Sequence, residues 1–264
     1  MRKYLEVSKI YMKSQLAWRT DVIFNMLFTV TKILFAYLLW GAVFQGRGTV
    51  GPFTFHGMLS YYIVSAFLSQ LEMSQGISEE IHQRIRNGTF SKYMVIPVGI
   101  EKYFMAMELG VAAFYLCFDL AAAAIWVWLF RIEFVFTGNI RVFLTALLMA
   151  VVGMFFMAQL NYLLGLLTLR FQGIDAFLMI KNNLMELVTG SIIPLALFPQ
   201  GITAVARCLP FYYVTYLPSM LLTGQCENEA AAGLIIIGIW CALIQLFIHY
   251  VWKKDIRKYD GVGI

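Results

Sequence analysis

The sequence predicts an all-α polytopic membrane protein, and three observations carry that prediction. The 264 residues are 61% hydrophobic and 13% charged, with a mean hydropathy of +0.74, whereas soluble domains carry roughly 25% charged residues. The apolar residues are gathered into blocks of about 20, the length that crosses a hydrocarbon core of roughly 30 Å. Lys and Arg lie between the blocks and fall largely on one side of them. Six blocks, at 22–44, 58–74, 104–130, 142–169, 176–197 and 231–252, are read as transmembrane helices of one domain spanning 1–264.

Residues 1–21 are charged and amphipathic and lack the short apolar core and small-residue cleavage site of a signal peptide. They predict an interfacial helix. Between the fifth and sixth blocks, 198–225 is too apolar for an aqueous loop and is interrupted by Pro199, Pro210 and Pro218. Two short re-entrant helices in the outer leaflet suit it, provided protein covers the break. Fourteen of the 20 cations fall on one side of the blocks and four on the other, with Lys32 and Lys181 inside them. By the positive-inside rule both termini face the cytoplasm. The two halves differ in loop length and in the proline-rich insertion, which argues against an inverted-repeat transporter. The +5 net charge follows from this topology, so a nucleic-acid partner is rejected.

The inner loop at 76–100 is the most informative stretch. Ser78 reads as an N-cap, with Glu79 and Glu80 in the first turn. Ile77, Ile81 and Ile85 form one apolar stripe, and Asn87-Gly88 supplies a stop. Such a helix either lies on lipid headgroups or docks a cytoplasmic partner. The mixed charge of Glu79, Glu80, Arg84 and Arg86 favours docking, because a lipid-facing helix is more uniformly basic.

Polar residues inside the blocks are costly against lipid and mark a path or a helix–helix contact. Tyr61, Ser65, Ser69 and Glu72 share one face of the second block, and Asn182, Glu186 and Thr189 one face of the fifth, flanked by Lys181. Lys32 and Asp119 sit mid-block at comparable depth. A buried pair between them, or between Lys32 and Glu186, is the plain expectation, and a proton relay the sharper one. Cys208 and Cys226, both on the outer side, are a candidate disulfide, while Cys117 and Cys241 lie within blocks. No CxxC pair supports a metal site. His56, His82 and His249 lie on separate segments without the convergent acid–base group that catalysis needs.

Glu80-Ile81, Ile85, Gly88-Thr89-Phe90 and Pro97 together resemble the inner loop of type-2 ABC exporter permeases. Three other segments agree: Ala17-Trp18-Arg19-Thr20-Asp21 before the first block, the proline-broken outer segment, and a tail with Trp252, Arg257, Tyr259, Gly261 and Gly263. The resemblance covers nearly the whole chain. It implies the six-span, type V exporter fold, a dimer with a second copy or a paralogous permease, and a path at the dimer interface bordered by the second and fifth spans. It also implies a coupling helix, with Glu79, Glu80, Ile81, Arg84, Ile85 and Gly88, seated in an ATPase subunit. This sequence has no G-x-x-x-x-G-K-[ST], so ATP and Mg²⁺ belong to that partner and the chain is not an enzyme by itself. A bacterial cytoplasmic membrane is the expected location. The alternative is an ion-coupled secondary transporter or channel using Lys32, Asp119 and Glu186. The amphiphilic path does not identify the cargo.

Overall fold

The computed structural model describes residues 2–17, 19–129, 131, 133–171, 173–190 and 193–259. These are overwhelmingly helical, and their only strand-like pairing is an isolated bridge between Val50 and Phe53. In chain order the helices are α1 (Arg2–Ser14), α2 (Arg19–Val43), α3 (Phe55–Leu71), α4 (Gln75–Arg86), α5 (Ser91–Val95) and α6 (Ile100–Leu129). They continue with α7 (Ile140–Leu166), α8 (Asp175–Val188), α9 (Gln200–Cys208), α10 (Leu217–Leu222) and α11 (Ala230–Asp255).

Among the described residues two helical stretches are long and apolar enough to cross a membrane, Ile140–Leu169 and Glu227–Asp255, while Val30–Val43 is apolar but shorter. Large apolar side chains lie exposed around the bundle, Phe35, Trp128 and Leu246 among them, as expected of a surface solvated by lipid rather than water. The fifth apolar block is shorter than its sequence suggests. Helix α8 stops at Val188, and after Pro194 a 3₁₀ turn at Leu195–Leu197 takes over. At 14 residues α8 is about 21 Å long.

Helix α7 is the hub, packing against α11, α4 and α10. The proline-broken segment splits into α9, largely exposed, and a π-helical turn at Tyr212–Tyr216 that runs into α10. Every residue from 211 to 223 is buried, mainly against α7, with α3 and α11 also in contact, so protein does cover this irregular backbone. Arg207 ion-pairs with Glu229 at 2.5 Å, and Tyr212 donates to the same carboxylate at 3.0 Å. No disulfide joins Cys208 and Cys226, and this corrects the sequence expectation: all four cysteines are free thiols. The ion pair and the buried aromatics hold that segment instead.

Helix α1 is not merely adsorbed to a surface. It lies along α6, where Ser8 Oγ donates to the Ala106 carbonyl at 2.6 Å and the Tyr11 and Tyr103 hydroxyls meet at 3.0 Å. Gly110 makes the crossing close, since a Cβ there would come 2.2 Å from the Ser8 carbonyl oxygen. Leu5 and Ile10 on α1 stay exposed. Gly110→Val is therefore expected to unseat α1. Overpacking costs about 1–3 kcal/mol, so labelling of Ser8→Cys by a membrane-impermeant maleimide should accelerate about tenfold. An unchanged labelling rate would refute the seat.

Candidate functional site

Two structures built from the predicted residues meet on one side of the bundle: the α4 loop and a groove bordered by α2, α3 and α8.

Helix α4 begins one turn earlier than its sequence suggests. Ser74 precedes its first residue, and Ser78, expected as the N-cap, is buried inside the helix and donates to the Gln75 carbonyl at 2.7 Å. The earlier start brings Ile77 within the helix, and Ile77, Ile81 and Ile85 are all fully buried on the side where α4 meets α7. The close approach uses Gly165, where a Cβ would lie 2.8 Å from Ile81 Cβ. The stop falls where expected. Gly88 takes a left-handed φ of +66°, its N–H donates to the Ile85 carbonyl at 3.1 Å, and Thr89 N–H donates to Arg84 at 2.9 Å, the two bonds of a Schellman cap.

The charged face of α4 divides in two. Glu80 is turned into its own loop, accepting from Arg84 Nε at 2.9 Å and Tyr93 Oη at 2.8 Å, with Lys92 Nζ at 3.7 Å. Partial burial pushes its carboxyl up, but the hydrogen bonds from Arg84 and Tyr93 and the charges of Arg84 and Lys92 outweigh this and hold it below the usual carboxylate range. Gly76, Glu79, Gln83, Arg86 and Asn87 are exposed and form the outward ridge. Beyond the cap, Phe90 is fully buried against Tyr93, Trp252 and Tyr259, and Tyr259 Oη accepts from the Ser91 N–H at 3.2 Å. The chain's tail therefore closes over the loop.

At its other end α4 is wired to α7 and α8. Lys181 Nζ, buried, donates to Asn161 Oδ1 at 3.1 Å, and Asn161 Nδ2 donates to Ser74 Oγ at 2.6 Å. Ser74 Oγ in turn bonds to Glu72. In parallel Asn182 Nδ2 reaches Gln75 Oε1 at 3.3 Å, and Gln75 Nε2 reaches Glu79 at 2.8 Å. Glu108, buried on α6, accepts the Met73 N–H at 3.0 Å. Sequence reasoning missed Asn161 and Glu108, although both stand as polar residues within apolar blocks, the signal that singled out Lys32 and Asp119.

The groove consists of two cavities sharing Met185 and Glu186. One, of about 710 Å³, brings together Lys32, Ser65, Ser69, Glu186 and Thr189; the other, of about 440 Å³, brings together Glu72, Glu79, Lys181 and Asn182. Most of the residues expected to line a path thus do line one groove. Tyr61 does not. It is fully buried, and its hydroxyl donates to the Gly190 carbonyl at 3.1 Å, tying α3 to the end of α8. The expected Lys32–Glu186 pair is also corrected. The Lys32 side chain is exposed in the first cavity and forms no ion pair with any described residue. The side chain of Asp119 lies outside the described residues, as do Trp18, Asp260, Gly261 and Gly263.

A family model described as "ABC-2 family transporter protein" matches residues 30–263. No curated protein matches the chain.

Proposed function

This chain belongs to the ABC-2 transporter family, and from that premise we propose that it is the permease subunit of an ATP-driven exporter, working as a dimer with a separate ATPase. ABC-2 family membrane proteins work with ABC ATPase subunits. The observation that carries the reading is the construction of α4: a buried isoleucine stripe seated on α7, an outward ridge of Gly76, Glu79, Gln83 and Arg86, and a hydrogen-bonded link through Asn161 to Lys181 on α8. The ridge docks in the ATPase subunit, which holds ATP and Mg²⁺. When two such subunits close on ATP, the displaced α4 pulls on α7 and α8 and reshapes the groove between the permeases. The six apolar blocks are six spans with both termini in the cytoplasm of a bacterial cell, and α9 and α10 cover the outer end.

Because Glu80 is spent on Arg84 and Tyr93, the docking contacts fall on Glu79, Gln83 and Arg86. A photo-crosslinking residue at Gln83 in native membranes should capture a protein carrying a Walker A motif. Glu79→Lys combined with Arg86→Glu should reduce that product about tenfold or more, the scale of losing two close charge pairs, while membrane insertion stays intact. Capture of no ATPase, or undiminished capture by the double variant, would overturn the assignment.

A further inference from the structure

The larger cavity has a charge pattern that restricts what can occupy it. Lys32 lies near the middle of the first apolar block, in a wall otherwise apolar with Ile33, Phe35 and Leu39, and it forms neither an ion pair nor a hydrogen bond with any described residue. Glu186 lies at the junction of the two cavities and interacts within the chain. The remaining polar side chains lining the space include Ser65, Ser69 and Thr189. Ser69 is exposed, whereas the Thr189 hydroxyl is spent on the Met185 carbonyl at 2.7 Å, and Trp40 and Tyr62 also line the cavity with ring centroids 6.1 Å apart. An ammonium at this depth is expensive unless an anion meets it.

We infer that this cavity binds a lipophilic anion, an acyl or aromatic body ending in a carboxylate or phosphate. The anionic head meets Lys32 and the Ser69 hydroxyl, and the body lies along the apolar wall and Trp40. A volume of about 710 Å³ is within the range of small-molecule sites, roughly 300–1,000 Å³. The inference rests on reading the groove as part of the translocation path, and it names the class of compound that enters.

The test uses the full chain in nanodiscs of neutral phosphatidylcholine and follows tryptophan fluorescence. Dibrominated stearate should quench saturably, with a midpoint about tenfold below that of the equally brominated stearyl alcohol, the ratio for 1.4 kcal/mol. Lys32→Met should abolish the difference, Lys32→Arg should keep it, and Trp40→Phe should remove the saturable component. Competition by phosphatidylglycerol would identify a bilayer lipid as the occupant, and its failure to compete a single-chain compound; both outcomes support the site. Equal midpoints in the unaltered chain, or a difference surviving in Lys32→Met, would overturn it. So would a Lys32→Met variant that changes the dimer fraction and leaves quenching untouched, since Lys32 would then pair with a second copy. No ATPase takes part, so failure here leaves the coupling assignment standing, and failed cross-linking at Gln83 leaves this result intact.

Discussion

Replacing Gly165 by leucine is expected to lift α4 off α7 and to lower transport-coupled ATP hydrolysis in the assembled complex about tenfold or more, with ATPase binding retained. The cause is steric. A Cβ at this position already falls 2.8 Å from Ile81 Cβ, and two further Ile81 carbons lie within 3.2 Å. Ile81 has nowhere to retreat, because it and its stripe partners Ile77 and Ile85 are fully buried. Forcing extra methylenes into such a contact costs about 1–3 kcal/mol, which favours a displaced helix. The direct measurement is maleimide labelling of Ile85→Cys, shielded beside Gly165 and exposed beside leucine. Continued shielding, with normal coupling, would show that the seat tolerates the larger residue and that α4 does not depend on it.

Asn161→Leu is expected to cost about 3 kcal/mol, the loss of a hydrogen bond to a charged group together with stranding of that charge. Asn161 is fully buried and bonds Lys181 on α8 and Ser74 beside α4. Its removal leaves the Lys181 ammonium with only the more distant charges of Glu72 and Glu79. Adding Lys181→Met should recover most of the stability, since removing both members of a buried polar pair costs far less than removing one. A double-mutant cycle by thermal unfolding in detergent measures the coupling. The doubly substituted protein is then stable yet lacks this link, so its ATPase coupling should stay low while its melting temperature returns. Additive stability losses would mean that the two residues do not act as a pair.

The legible parts of this molecule are those encoded by neighbours in the chain. The isoleucine stripe and Asn87-Gly88 were readable because helix periodicity and a left-handed cap act within a few residues. Ser78 misled for the same reason: it suits an N-cap locally, but burying Ile77 on α7 draws the helix start back to Gln75. The groove residues were half legible. Offsets of three and four place Ser65, Ser69, Glu186 and Thr189 on faces, yet no offset tells that Tyr61 turns to the Gly190 carbonyl, 129 positions away. Gly110 and Gly165 were invisible as sites, because a glycine in an apolar helix looks alike whether a backbone or nothing approaches it. The short α8 was misjudged because hydropathy continues past Val188 while the helix does not.

The seat of α1 imposes an order on biosynthesis. Ser8 leaves the ribosome 102 residues ahead of Gly110, the position against which its backbone comes to rest. At roughly 5–20 residues per second the first helix waits about 5–20 s for its partner to be made. Through that interval Leu5 and Ile10, exposed in the finished fold, give it a foothold on the bilayer. Phe90 waits still longer, since Trp252 and Tyr259 arrive last. The nascent chain therefore carries its interfacial helix unfastened until α6 is made and the Phe90 end of its α4 loop unfastened until the final span is inserted, and a ribosome stalled before Trp252 would hold a protein whose loop is still open to proteases.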